Sequence, residues 1–140
     1  MIYEDIYINK TLDFNITDKP YLIKNYAKDW HAYKNWSFDY LKNLNSDLLV
    51  NATIGNASSG EKKLVSLKFK DYIEKIISAE TDAFLSTFYL FHKFPNLKKH
   101  INYKNIKNNS VIHHLLAWIG PKGTITGFHA DWAENLNIQI

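Results

Sequence analysis

The segment that most constrains the fold of this chain is its last one, because three short strand-like stretches follow one another there with little room for a helix between them. They cover residues 112–119, 125–131 and 136–140, and the third alternates apolar and polar residues. Between the first two, Gly120-Pro-Lys-Gly123 has the composition of a turn. Strands joined by short turns pair in antiparallel fashion. This ending therefore predicts the beginning of an antiparallel barrel or jelly roll.

Helices are predicted only ahead of these strands. Ser37 is expected to cap the first helix, which would carry Phe38, Leu41 and Leu44. Ser66 is expected to open the second helix, whose apolar residues follow amphipathic spacing: Phe69, Tyr72, Ile73, Ile76 and Ile77. A polar helical turn is predicted to begin at Pro95 and to run through Lys99.

Extended segments alternate with these helices along the chain. Residues 20–24, 48–54 and 84–90 are expected to be extended, and residues 55–63 form an exposed Gly- and Ser-rich loop. The sequence thus predicts a single α+β domain over residues 1–140, incomplete at its C-terminus. A mixed helical and strand part in residues 1–110 leads into the first jelly-roll strands in residues 111–140.

Composition excludes several classes of protein. The chain has 140 residues, of which 46% are hydrophobic and 22% charged, as is usual for one globular domain. It has no apolar run of membrane-spanning length, and its first residues lack the basic-then-apolar order of a signal peptide. Because cysteine is absent, there is no disulfide framework. These features fit an intracellular protein of the cytoplasm or nucleus, with no membrane partner.

The net charge of +3 comes from lysine alone, since all 17 basic residues are lysines. Without the guanidinium fork of arginine, bidentate recognition of guanine or phosphate is not available. The lysines are also dispersed along the sequence. A solvated, lysine-rich surface is therefore favoured over a nucleic-acid groove.

His129 and Asp131 are the candidate metal ligands. They lie two residues apart in a predicted strand, so their side chains are expected on the same face. An imidazole and a carboxylate are two of the three ligands in the 2-His-1-carboxylate site that holds Fe(II) in non-haem oxygenases. A His-x-Asp pair alone is common, and a solvated surface pair is the alternative interpretation. The amides of Asn135, Asn137 and Gln139 share one strand parity, and such a row on an inward face needs polar partners.

The surrounding residues resemble a known family. Trp118-Ile-Gly-Pro-Lys-Gly-Thr-Ile-Thr-Gly-Phe-His-Ala-Asp131, followed by Asn135 and Gln139, resembles the JmjC, or cupin-like, Fe(II)/2-oxoglutarate oxygenases of the small hydroxylase type. Two earlier segments resemble the same family: Trp30-His-Ala32 with Trp36-Ser-Phe-Asp-Tyr-Leu41, and Leu90-Phe91 with Pro95-Asn-Leu-Lys98. The resemblance implies a cupin-type double-stranded β-helix, of which this chain carries the first strands.

The resemblance also implies roles for individual residues. His129 and Asp131 would bind Fe(II), Thr126 would donate a hydrogen bond to the distal carboxylate of 2-oxoglutarate, and Asn135 would lie beside its chelating end. Thr126 has the opposite strand parity to His129. It can therefore turn inward only if the backbone is irregular between them, which Gly127 would permit.

The sequence departs from the family pattern at several positions. Phe84 stands where many relatives have a cosubstrate-binding tyrosine, and Tyr89 has the opposite parity. Residues 1–140 also lack the later Gly-x-Lys and the distal histidine of the family. The adjacent His113 and His114 are better explained as structural residues than as the third ligand. The role of Trp132, the residue after Asp131, is open. One candidate role is to border a substrate cleft.

The resemblance implies a dioxygenase that hydroxylates a side chain of a protein or peptide, with N-methyl demethylation as a related outcome. The chain alone is expected to be inactive, because the distal histidine and the cosubstrate lysine are missing. Two alternatives stay open: a non-catalytic cupin-like interaction domain, and a zinc hydrolase at His129 and Asp131. The hydrolase is less favoured, because catalytic zinc normally has three protein ligands. An unpaired strand edge at residues 136–140 is expected to allow self-association.

Overall fold

The computed structural model describes residues 4–6, 12–13, 21–44, 47–54, 63–102, 106–107, 114–126, 131 and 136–140. The strands in this part of the chain are β1 (Glu4–Ile6), β2 (Leu12–Asp13), β3 (Tyr21–Ile23), β4 (Leu49–Ile54), β5 (Lys63–Lys68), β6 (Leu85–Phe88), β7 (Ile106–Lys107) and β8 (Ala117–Ile119). The helices are α1 (His31–Asn35), α2 (Phe38–Lys42), α3 (Phe69–Ile77) and α4 (Leu90–Lys93), followed by a 3₁₀ helix (Pro95–His100).

Antiparallel pairing connects four of these strands in the order β5, β4, β6, β8. The hairpin of β4 and β5 is regular from Leu49 opposite Lys68 to Ile54 opposite Lys63. A two-way backbone bridge joins Thr53 to Phe84 at N–O distances of 2.8 and 2.7 Å, which places β6 beside β4. β6 then pairs with β8. Two further contacts, β1 with β3 and β2 with β7, are parallel.

The pairing of β6 with β8 is irregular at its centre. The register shifts between Leu85 and Phe88, and Thr87 within that interval has a φ of +49°. A β-branched residue rarely adopts this left-handed conformation. The irregularity lies just before the chain passes into α4.

α3 supplies the centre of the hydrophobic core. Its predicted apolar face is confirmed, because Phe69, Tyr72, Ile73 and Ile76 are buried, although Ile77 is half exposed. The ring of Phe69 packs 5.6 Å from that of Phe88 and 5.8 Å from that of Phe94. The helix thus covers the strands that lead to the candidate site.

The hydroxyl of Tyr72 connects α3 to two strands. It lies 3.1 Å from the carbonyl oxygen of Ala83 and 2.5 Å from that of Ile119, and it accepts a hydrogen bond from the backbone N–H of Leu85 at 3.2 Å. Burial raises the pKa of Tyr72 to about 12. The un-ionised hydroxyl therefore holds the ends of β6 and β8 together.

The cap predicted for the first helical segment is confirmed. The Oγ of Ser37 accepts a hydrogen bond from the backbone N–H of Tyr40 at 3.1 Å, and α2 begins at the next residue after Ser37. Leu41 is buried on its inner side. An ion pair of 2.5 Å between Lys42 and Glu74 then connects α2 to α3.

The predicted start of the second helix is wrong. Ser66 lies in β5 opposite Asn51, and α3 begins at Phe69. The strand forms because Val65 and Leu67 alternate with exposed residues and pair with β4. The backbone N–H of Phe69 then donates to the carbonyl of Leu48 at 2.7 Å, which marks the change from strand to helix. Lys63 also belongs to β5 rather than to the predicted loop, whose residues 55–62 lie outside the described part.

The strands predicted at the C-terminal end are shorter than expected. Of residues 112–119, the structure gives only Ala117–Ile119 as strand, with 112–113 outside the described residues. Ile125, Thr126 and Asp131 have no regular secondary structure, and neither do residues 136–140. An alternating pattern forms a strand only where a neighbouring strand accepts its backbone hydrogen bonds, and no described strand lies beside these residues. The strand edge expected at 136–140 is therefore not formed.

The helices of the described residues are short. None of them is long and apolar enough to cross a bilayer.

Candidate metal and cosubstrate site

The candidate site begins at the turn that follows β8. The backbone N–H and the Oγ1 of Thr124 both donate to the carbonyl oxygen of Pro121, at 3.2 and 2.8 Å. Gly123 has a φ of +89°, which suits a glycine in a tight turn. The predicted turn is thus confirmed. It reverses the chain after the buried Ile119 and directs it toward Thr126.

Close packing at Gly120 fixes the turn against β6. A Cβ atom at this position would lie 2.6 Å from Thr124 Oγ1 and 2.9 Å from Phe84 Cδ2. Only glycine therefore lets the turn approach the ring of Phe84 this closely. Phe84 is half buried, and its ring lies against the turn at Gly120. It has no polar atom to offer a cosubstrate.

The structure describes two of the four predicted site residues. Thr126 and Asp131 are exposed and lie outside regular strands. The parity difficulty for Thr126 does not apply in irregular backbone, because the alternation of faces holds only within a strand. His129 and Asn135 lie outside the described residues, as do His113, Gly127 and Trp132.

The polar pattern after Asp131 is arranged differently from the prediction. Asn137 and Gln139 are exposed, and so are Leu136 and Ile140. Only Ile138 packs against the hydrophobic core. The apolar face expected from strand alternation is therefore reduced to one side chain.

No group of three His, Asp or Glu side chains that could hold a metal ion occurs within the described part of the chain. His114, the alternative third ligand, is exposed and packs edge-on against Tyr89, with ring centroids 6.3 Å apart. The donor set named from the sequence is chemically suited to iron, because an imidazole nitrogen and a carboxylate oxygen are ligands of non-haem Fe(II). Asp131, whose side chain is exposed, carries such an oxygen.

A second polar cluster was not predicted from the sequence. The indole N–H of Trp36 donates to His100 Nδ1 at 3.1 Å, and the hydroxyl oxygen of Tyr40 lies 3.5 Å from the same nitrogen. The ring of His31 lies 4.1 Å from that of His100. Burial, followed by the positive charges of His31 and Lys99, lowers the pKa of His100. Trp36 and His100 are 64 positions apart, so no local sequence pattern predicts their contact.

Comparisons with known proteins agree with the sequence resemblance. The chain matches the family described as a cupin-like domain over residues 12–140. JmjC domain-containing protein D of Dictyostelium discoideum is 32% identical, across 91% of this chain and 34% of that protein. Lysine-specific demethylase 8 of Danio rerio is 27% identical, across 91% of this chain and 34% of that protein. JmjC domain-containing protein A of Dictyostelium discoideum is 26% identical, across 92% of this chain and 58% of that protein.

The chain spans about a third of the length of the first two relatives. The family match covers both the helical part and the segment after β8, so it confirms the expected fold class. Mixed helices and short antiparallel strand pairs form part of a cupin-like jelly roll. The chain belongs to the cupin-like family, and its relatives are JmjC proteins.

Proposed function

We propose that this chain contributes the first half of the active site of an Fe(II)- and 2-oxoglutarate-dependent JmjC dioxygenase. The supporting observation is the His129-x-Asp131 pair directly after the β8 turn, in a chain of this family. The substrate is a side chain of a protein or peptide, which is hydroxylated. The names of three relatives refer to lysine demethylation. Loss of an N-methyl group after hydroxylation is the related outcome.

The residues of the chain have distinct roles in this proposal. His129 and Asp131 hold the iron, while Thr126 and Asn135 hold 2-oxoglutarate. When bound, Fe(II) would supply the chemistry by which O₂ and 2-oxoglutarate hydroxylate a C–H bond, with succinate and CO₂ as the co-products. The Asp131 carboxylate supplies negative charge to the metal, and the Thr126 hydroxyl donates to a carboxylate of the cosubstrate. Phe84 contributes an apolar wall without a hydrogen bond.

Residues 1–140 supply two metal ligands, one fewer than the facial triad needs. We therefore propose that these residues alone do not turn over 2-oxoglutarate. Activity requires a third ligand from outside them. The same shortage, together with Phe84 at the tyrosine position, supports the second candidate function, a cupin-like domain that binds protein without catalysis.

Succinate release from 2-oxoglutarate tests the proposal. Residues 1–140 are compared with a chimera that joins them to whatever part of JmjC domain-containing protein A follows its matched region. We expect succinate only from the chimera, and at least a 100-fold loss on His129→Ala or Asp131→Ala. Asp82→Ala, an exposed carboxylate elsewhere, serves as the matched control. Activity that survives His129→Ala would refute the ligand assignment, and an inactive but folded chimera would favour the interaction domain.

A further inference from the structure

Acidic residues are missing from a long part of this chain. Residues 1–82 carry 11 lysines and 12 acidic residues, whereas no Asp or Glu lies between Asp82 and Asp131. That acid-free stretch contains six lysines: Lys93, Lys98, Lys99, Lys104, Lys107 and Lys122. It also contains five of the six histidines. The lysines are spread along the whole chain, whereas the Asp and Glu residues that balance their charge are not. The net positive charge is therefore concentrated between Asp82 and Asp131.

The ion pairs reflect this asymmetry. Those of the described residues join Lys34 to Asp29, Lys42 to Glu74 and Lys68 to Asp47, all in the first part of the sequence. By contrast, the lysines of α4 and the 3₁₀ helix are exposed and form no ion pair with any described residue: Lys93, Lys98 and Lys99. Their charges are not neutralised by the described part of the fold.

The fold brings one of these lysines, Lys99, next to a pair of histidines. His100, at the end of the 3₁₀ helix, packs against His31 of α1 with ring centroids 4.1 Å apart. Lys99 adds its positive charge next to them, and neither ring forms an ion pair within the described residues. The positive charge of Lys99 and the imidazole N–H donors beside it face no carboxylate among the described residues, so an anion would be stabilised there.

The hydrogen bond from Trp36 determines which ring nitrogen of His100 carries the proton, and therefore which kind of ligand His100 can bind. An indole N–H only donates, so His100 Nδ1 must accept, and the proton of the neutral ring lies on Nε2. A metal bound at Nε2 would need the proton on Nδ1, where it would face the indole N–H. His100 therefore suits an oxygen acceptor rather than a metal ion.

We propose that the basic surface around His31, Lys98, Lys99 and His100 docks an acidic segment of a protein partner. Its Asp and Glu carboxylates would lie against the two histidines and the unpaired lysines. A carboxylate-rich peptide needs only point charges and single N–H donors, which this surface offers. Bidentate recognition of phosphate or guanine, by contrast, needs the arginine fork, which the chain lacks. The inference rests on the proposed function only in taking the partner to be the protein substrate.

Fluorescence anisotropy with the full 140-residue chain tests this surface. The probe is a labelled peptide of ten alternating Glu and Gly residues at physiological salt, and its Gln counterpart is the neutral control. We expect Lys98→Gln/Lys99→Gln to weaken binding about fivefold. The control Lys63→Gln/Lys75→Gln removes the same charge from exposed lysines of β5 and α3, and we expect less than a twofold effect.

Three results would overturn the proposal: no binding of the Glu peptide, equal loss in both double variants, or tighter binding of a DNA duplex than of the peptide. Equal loss would mean that only net charge matters. The assay contains neither Fe(II) nor 2-oxoglutarate, so its outcome is independent of turnover. Failure of docking and failure of the proposed oxygenase activity are therefore distinguishable.

Discussion

At the scale of single residues, Tyr72 in the core and the half-buried His100 show how one polar atom connects distant parts of the chain. The hydroxyl of Tyr72 forms hydrogen bonds with backbone groups of β6 and β8, and His100 Nδ1 accepts a hydrogen bond from the indole N–H of Trp36. Tyr72 was predicted on the apolar face of a helix, whereas no structural role was predicted for His100. The hydrogen-bond partners of both residues do not follow from the sequence, because those partners are distant along the chain.

Tyr72→Phe removes the hydroxyl while keeping the ring. The backbone N–H of Leu85 and the carbonyl oxygens of Ala83 and Ile119 then lose a buried partner. We expect the free energy of unfolding to fall by about 1–3 kcal/mol, measured by urea denaturation. Tyr33→Phe, at a hydroxyl on an exposed ring, is the control and should change stability by no more than about 0.5 kcal/mol. An equal effect of both substitutions would contradict the role of Tyr72.

His100 makes stability depend on pH. Its folded pKa lies below its ordinary value of 6.5, so the unfolded chain takes up the proton first as pH falls. The stabilisation is present above pH 6.5 and is lost below it, toward the lower folded pKa. We expect the urea midpoint to fall more between pH 7.5 and 5.5 in the native protein than in His100→Gln. Identical pH dependence in the two proteins would show that His100 does not titrate in this way.

At the scale of elements, sequence signals predicted a structure correctly where that structure depends only on neighbouring residues. Ser37 caps α2 as predicted, because a cap needs only the next few residues. Ser66 does not cap a helix, because its segment pairs with β4 as a strand. Residues 136–140 alternate like a strand but have no described strand beside them. Strand patterns are therefore weaker evidence than helix caps wherever the partner strand is unknown.

Gly120 tests the packing of the β8 turn against β6. In Gly120→Ala the new methyl would overlap Phe84 and Thr124, so we expect a loss of about 1–3 kcal/mol of stability from overpacking. Adding Phe84→Leu should recover part of the loss, because it removes ring atoms at the contact. Thermal unfolding of the single and double variants measures both effects. Simple additivity of the two substitutions would contradict the contact.

At the scale of the whole molecule, the family could be recognised from the sequence, whereas the distribution of charge on the fold could not. The motif from Trp118 to Asp131 names the family, and the match over residues 12–140 confirms it. The meeting of His31 with His100 depends on how α1 packs against the 3₁₀ helix. How these two helices pack depends on core residues that come from distant segments of the chain. No single stretch of the sequence therefore predicts it.

The central claim is that His129 and Asp131 bind iron. Calorimetric titration of Fe(II) into the 140-residue chain, without oxygen and with 2-oxoglutarate present, tests it most directly. We predict weak binding of one ion, as expected for two protein ligands, with loss of binding in His129→Ala and in Asp131→Ala. Asp82→Ala should bind like the native protein. Unchanged binding in His129→Ala would contradict the claim.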